Sequence, residues 1–109
     1  MATPTHQGCI DACNVCADAC DHCAAACLRE PDVQSLARCI ALDIDCAAIC
    51  RTSADFMARG SEFAKALCRL CGQVCKACGE ECAKHPMAHC QECARACRGC
   101  AEDCERMAA

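Results

Sequence analysis

Nineteen of the 109 residues are cysteine, and their spacing is the first fact with chemical content. Cys9, Cys13, Cys16, Cys20, Cys23 and Cys27 follow one another at steps of 4, 3, 4, 3 and 4. Cys68, Cys71, Cys75, Cys78 and Cys82 repeat the alternation, as do Cys90, Cys93, Cys97, Cys100 and Cys104. This is heptad spacing with sulfur where a coiled coil places Leu or Ile. Residues three and four apart share a helical face with Cβ atoms ~5–6 Å apart. Two such sulfurs can converge on one metal ion, and in a continuous ladder each can serve the site above and the site below.

Other uses of the thiols fit less well. Successive cysteines along one helix have poor geometry for a disulfide. Cross-helix bonds are open to them, but 19 is an odd number. Packing alone would favour Leu, since cysteine at nearly every seam position leaves voids. A Cys–His nucleophile is not indicated, because no cysteine is distinguished from the rest and no oxyanion-hole motif is visible. The expectation is therefore a binding protein and not an enzyme.

Soft thiolates select Cu(I), zinc or iron–sulfur clusters. The ferredoxin run C-x2-C-x2-C-x3-C-P is absent, and these cysteines sit on helices and not on cluster-wrapping loops. Four thiolates around zinc leave a charge of −2 per site, and several such sites in one core would be costly. One Cu(I) per thiolate leaves the core neutral. The residues thus point to many Cu(I) ions per chain, with an iron–sulfur or zinc protein, in electron transfer or zinc buffering, as the alternative.

The elements that must position these ladders are four helices, at about 4–29, 32–58, 61–84 and 86–107. Thr3-Pro4 reads as an N-cap followed by proline at the first helical position. Breaks fall at Glu30-Pro31-Asp32, Gly60-Ser61 and His85-Pro86, with Gly60 as a C-terminal cap and Ser61 as the next N-cap. The second helix carries the seam Leu36, Cys39, Asp43, Cys46, Cys50, Ser53, Met57, with Ile40, Leu42, Ile44 and Ile49 broadening its apolar face. Gly72 and Gly79 suggest close approach of a neighbouring helix. Short connections make neighbours antiparallel. The expected fold is all-α: an antiparallel up-down-up-down four-helix bundle with a cysteine-lined core, forming one domain over residues 1–109.

Several polar residues bear on the site. Asp43 occupies a core position, where an unpaired carboxylate is costly, so it should meet a cation or a metal. His6 continues the first ladder outward, whereas His22 reads as solvated surface. His85, Met87 and His89 gather at one end near Cys27 and Cys82, and imidazole and thioether are exchangeable copper ligands. Copper access is expected there. The opposite end is expected to be plugged by Phe56, Met57 and Phe63.

Composition bounds the rest. With two Phe and no Trp or Tyr, an ordinary apolar core would be thin for this length. A net charge of −4 without a basic run argues against nucleic acid. No apolar run approaches the ~20 residues of a membrane span. Met1 to Gly8 shows no secretory or twin-arginine pattern, and so many thiols suit a reducing compartment, so the cytoplasm is the expected location.

Taken together, the pattern resembles the bacterial copper storage proteins, in their cytosolic branch. The resemblance runs from about Cys9 to Met107. It rests on the three ladders, on Cys39-x6-Cys46-x3-Cys50 in a cysteine-poorer second helix, and on His85-Pro86-Met87-Ala88-His89-Cys90 opening the fourth. It implies inward cysteines binding many Cu(I) ions as thiolates, a homotetramer of such bundles, and storage or detoxification of copper in place of catalysis.

Overall fold

The computed structural model describes residues 4–109, with side chains from His6 onward; Thr3, the expected first cap, lies outside that range. Four helices account for most of the chain: α1 (Pro4–Cys27), α2 (Ala37–Ala58), α3 (Ala64–Ala83) and α4 (Ala88–Ala108). A 3-10 turn, Val33–Leu36, leads into α2. Each helix packs on its sequence neighbours, and α1 closes the ring against α4. The result is an up-down-up-down bundle, 49 Å long and 19 × 18 Å across.

The ends of the helices differ from the sequence expectation in instructive ways. The amides of Arg29 and Glu30 turn back onto the carbonyls of Ala26 and Cys27 at 3.1 Å, so α1 closes two residues early. Pro31 does not begin a helix. Ser35 Oγ donates to the Asp32 carbonyl at 2.8 Å, and the chain takes a single 3-10 turn before α2. Ser61 does not cap α3 directly. Its hydroxyl accepts from the Phe63 amide at 3.1 Å, a local turn that delays the helix to Ala64. Met87 is extended (ψ 145°) and its carbonyl accepts the first α4 amides, from Cys90 and Gln91. Gln91 Nε2 reaches back to the carbonyls of His85 (2.6 Å) and Ala83 (3.2 Å), tying α4 to the end of α3.

Gly60 ends α2 as expected. Its φ is +65°, its amide bonds to the Met57 carbonyl, and the Ser61 amide bonds to Phe56, both at 3.0 Å. This is the Schellman arrangement, which needs a left-handed residue at that point. The close approach suggested by Gly79 is also present: a Cβ there would lie 3.3 Å from Cys97 Cβ and 3.5 Å from the Ala94 carbonyl. The apolar face of α2 is narrower than expected, since Ile44 is 57% exposed while Ile40, Leu42 and Ile49 pack partly against the core. The expected plug is also smaller. Met57 is buried, but Phe63 is 61% exposed, because the turn holding it lies outside α3.

Replacing Gly60 by Ala forces a Cβ into the left-handed region. Gly60→Ala should lower the unfolding free energy by about 1 kcal/mol or slightly more, read as a lower urea midpoint at unchanged helicity.

Candidate metal centre

All 19 cysteines are buried, and none is joined to another in a disulfide. Their inward seams stack into levels. Cys13, Cys50, Cys71 and Cys100 form one, with Cys13–Cys100 and Cys50–Cys71 sulfurs 3.6 Å apart. Cys16, Cys46, Cys75 and Cys97 form the next, with contacts of 3.6–3.7 Å. Above them Cys20, Cys78 and Cys93 share a level with Asp43, and then come Cys23, Cys39, Cys82 and Cys90. Cys9, Cys68 and Cys104 form the lowest level, and Cys27 extends the column at the top. Contacts also run between levels, such as Cys20–Cys97 and Cys50–Cys75, both 3.6 Å. The column is continuous because each helix alternates steps of three and four.

These separations suit metal bridging. With metal–sulfur bonds of about 2.3 Å, a trigonal ion needs sulfurs about 4.0 Å apart and a tetrahedral one about 3.8 Å. Several overlapping quartets qualify, including Cys16/Cys20/Cys46/Cys97 and Cys23/Cys27/Cys39/Cys90, whose ligand atoms all lie within 4.8 Å of one another. Distance alone does not choose between copper and zinc. Charge does: among the described residues the buried polar side chains are Asp43, Ser53 and Glu81, and none is basic. The column holds no cation of its own, so the metals must neutralise the thiolates.

Asp43 sits within this network. Its carboxylate oxygens accept from Cys78 at 3.2 Å, Cys93 at 3.3 Å, Cys82 at 3.5 Å and Cys39 at 3.9 Å. Burial, and next the neighbouring Cys93, push its carboxyl up to about 8. It therefore carries its proton at neutral pH when no metal is present. At the column top, burial leads in pushing Cys27 and Cys90 up. A buried thiol network keeps most of its protons until a cation replaces them.

The upper pole is built by the turn between α3 and α4. His89 Nδ1 faces Cys90 (3.5 Å), Cys23 (3.7 Å) and Cys27 (3.8 Å), while its Nε2–H donates to Glu30 at 3.0 Å. That carboxylate fixes the tautomer and turns the Nδ1 lone pair toward the thiols. His85 is placed differently. Its Nε2 pairs with Glu81 at 2.9 Å, and it makes no hydrogen bond to a thiol. Glu81 also pairs with Arg38 and Lys84, and His85 is the main cause of its lowered carboxyl pKa. Met87 packs against the core edge as the α4 cap. Glu30 and Glu81 were not singled out in the sequence. Neither lies on a cysteine ladder, and only the folded turn shows which histidine each carboxylate meets.

A family model described as copper storage protein matches residues 2–109. The chain belongs to that family. A Cu(I)-bound copper storage protein, BsCsp3, superposes with a TM-score of 0.93 at 48% identity, over 96% of this chain and 99% of the other. A cytosolic copper storage protein from Streptomyces lividans, holding five coppers, gives 0.92 at 41% identity, over 95% of this chain and 92% of the other. An uncharacterized cysteine-rich protein, YhjQ, from Bacillus subtilis is 48% identical over 83 residues, spanning 76% of this chain and 77% of its own length. For a column of thiols with one carboxyl and no buried cation, the relatives' copper agrees with the charge argument.

The raised carboxyl of Asp43 has a signed consequence for the apo protein. The folded state keeps this proton up to about pH 8, whereas the unfolded chain loses it near 3.8. Between those values the folded state binds more protons, so stability falls as pH rises and levels off above the folded value. The slope approaches ~1.4 kcal/mol per pH unit at most. Asp43→Asn should flatten that slope between about pH 5 and about pH 7, below the titration of the unfolded thiols; urea midpoints of the two apo proteins measure it.

Proposed function

We propose that this chain stores and detoxifies Cu(I), binding many ions along the thiol column of a non-catalytic bundle. The observation that carries this is the cation-free stack of 19 buried thiols, all but Cys68 within 3.4–4.0 Å of another sulfur. Cu(I) enters as a monovalent ion, displaces one thiol proton and leaves the site neutral. Each sulfur can bridge two ions, which is why the ladder holds more metal than isolated sites would. The ligand set we infer is the 19 cysteines with Asp43, and His89 at the upper pole. His85 and Met87 act as neighbours of that pole: His85 is held by Glu81 and would bind copper only after leaving it.

We assign the protein to the cytoplasm, following the Streptomyces relative described as cytosolic. We also assign it to a homotetramer. Val15, Ile44, Leu70 and Phe63 stay exposed on the outer surface of the single bundle and supply apolar area for assembly.

Titration of apo protein with Cu(I) against a competing chelator should give about ten or more equivalents per chain. Saturation below about five would refute the column as a reservoir. Loaded protein should also melt well above apo protein, because the preformed column binds the metal more tightly than the thiols of the unfolded chain do. His89→Ala should slow loading, because it removes the Nδ1 lone pair at the column top, and should leave total capacity unchanged; stopped-flow transfer from the chelator measures this.

A further inference from the structure

The lower pole, where α1 begins and α4 ends, was expected to be closed. Met57 does close it on the α2 side. Between α1 and α4, however, a cleft of about 480 Å³ runs in from solvent, lined by Gly8, Cys9, Asp103, Arg106 and Met107. Cys9 at its floor is the most exposed of the 19 thiols, at 4%. Its sulfur lies 3.9 Å from Cys104, which in turn lies 3.8 Å from Cys13, so the floor is continuous with the column. Met107 sets a thioether beside it, and the Asp103–Arg106 ion pair forms the rim.

A second observation points to a ligand at this level. Ser53 is fully buried, and its hydroxyl has no hydrogen-bond partner. Along α2 and α3 the pairs Cys39–Cys82, Asp43–Cys78, Cys46–Cys75 and Cys50–Cys71 advance by equal and opposite steps. The next step sets Ser53 level with Cys68, in the same layer as Cys9 and Cys104. An orphaned hydroxyl at this depth is costly, and a metal-bound thiolate drawn within its reach, a stronger acceptor than a thiol, would satisfy it.

We propose that this pole is a second copper port: Cu(I) carried by a low-molecular-weight thiol is taken up at Cys9 through the cleft, assisted by Met107, and held in the Cys9/Cys68/Cys104 layer under a hydrogen bond from Ser53. The exchange is redox-neutral. A Cu–S bond to Cys9 forms, a Cu–S bond to the carrier breaks, and the Cys9 proton passes to the departing carrier thiolate. Copper remains Cu(I) throughout. The proposal rests on the storage reading, since a port matters only to a column that fills.

Transfer from the Cu(I)–bicinchoninate complex, followed by the fading of its visible band, tests it. Gly8 is exposed and nothing lies within 4 Å of an added Cβ, so Gly8→Leu narrows the cleft while the fold is kept. Met107→Leu removes the thioether at nearly constant volume. Each should slow loading by roughly twofold or more, with capacity unchanged, and Ser53→Ala should speed chelator extraction from loaded protein by a similar factor. Wild-type kinetics in all three variants, at full capacity, would overturn the port and leave storage standing. Failure of the wild-type protein itself to take up copper would sink the storage reading instead.

Discussion

A column of 19 enclosed sulfurs cannot be charged all at once without compensating ions. That single electrostatic limit shapes the rest of the molecule. In the apo state the limit is met by protons: thiols hydrogen-bond to one another, and Asp43 keeps its own proton against the usual behaviour of a carboxyl group. In the loaded state it is met by monovalent metal, one positive charge for each proton lost. A core basic residue would have solved the problem permanently and spoiled the exchange. Among the described residues none is found there.

The packing follows from the same requirement. Cysteine is small, so the helices must come close for sulfurs on facing helices to stand 3.4–4.0 Å apart. Ala17, Ala47, Ala94 and Ala101 fill the flanks, and Gly72 and Gly79 bring α3 against α4. Fully buried large apolar side chains are confined to the ends, at Leu36 and Met57, both 2% exposed. Such a core gains less from burial than one of Leu and Ile. Metal binding therefore contributes to holding the fold as well as to its use.

The periodicity of the cysteines made the bundle and its lining readable directly, because a step of three or four residues has one meaning on a helix. Asp43 and Ser53 were readable as inward positions for the same reason. What escaped was set by turns and tertiary meetings. The delayed start of α3 depends on the Ser61 hydroxyl choosing the Phe63 amide. The different fates of His85 and His89 depend on Glu81 and Glu30, one four residues away and the other 59. Two histidines four residues apart look equivalent in the sequence. The fold gives one to the thiols and the other to a carboxylate. Phe63 was misplaced because apolar character alone does not say which side of a turn a residue occupies.

The two ends of the column also obey a common rule. On the α2 side the inward seam stops in bulky apolar residues at both poles, Leu36 above and Met57 below. On the side shared by α1 and α4 the thiols run to both ends, with Cys27 and Cys90 meeting His89 above, and Cys9 and Cys104 meeting the Met107 cleft below. The α2 side seals the reservoir, and α1 with α4 carries the ladder out to its openings. The cysteine-poorer α2 is then no degraded copy of its neighbours. With the turn before it, it supplies the two stops, and it places a carboxyl and an unpaired hydroxyl at the levels where a fourth thiol would have made every layer alike. A uniform column would bind copper equally everywhere. Interrupting it with oxygen at Asp43 and Ser53 makes its levels chemically distinct, so copper does not find the same ligands at each level.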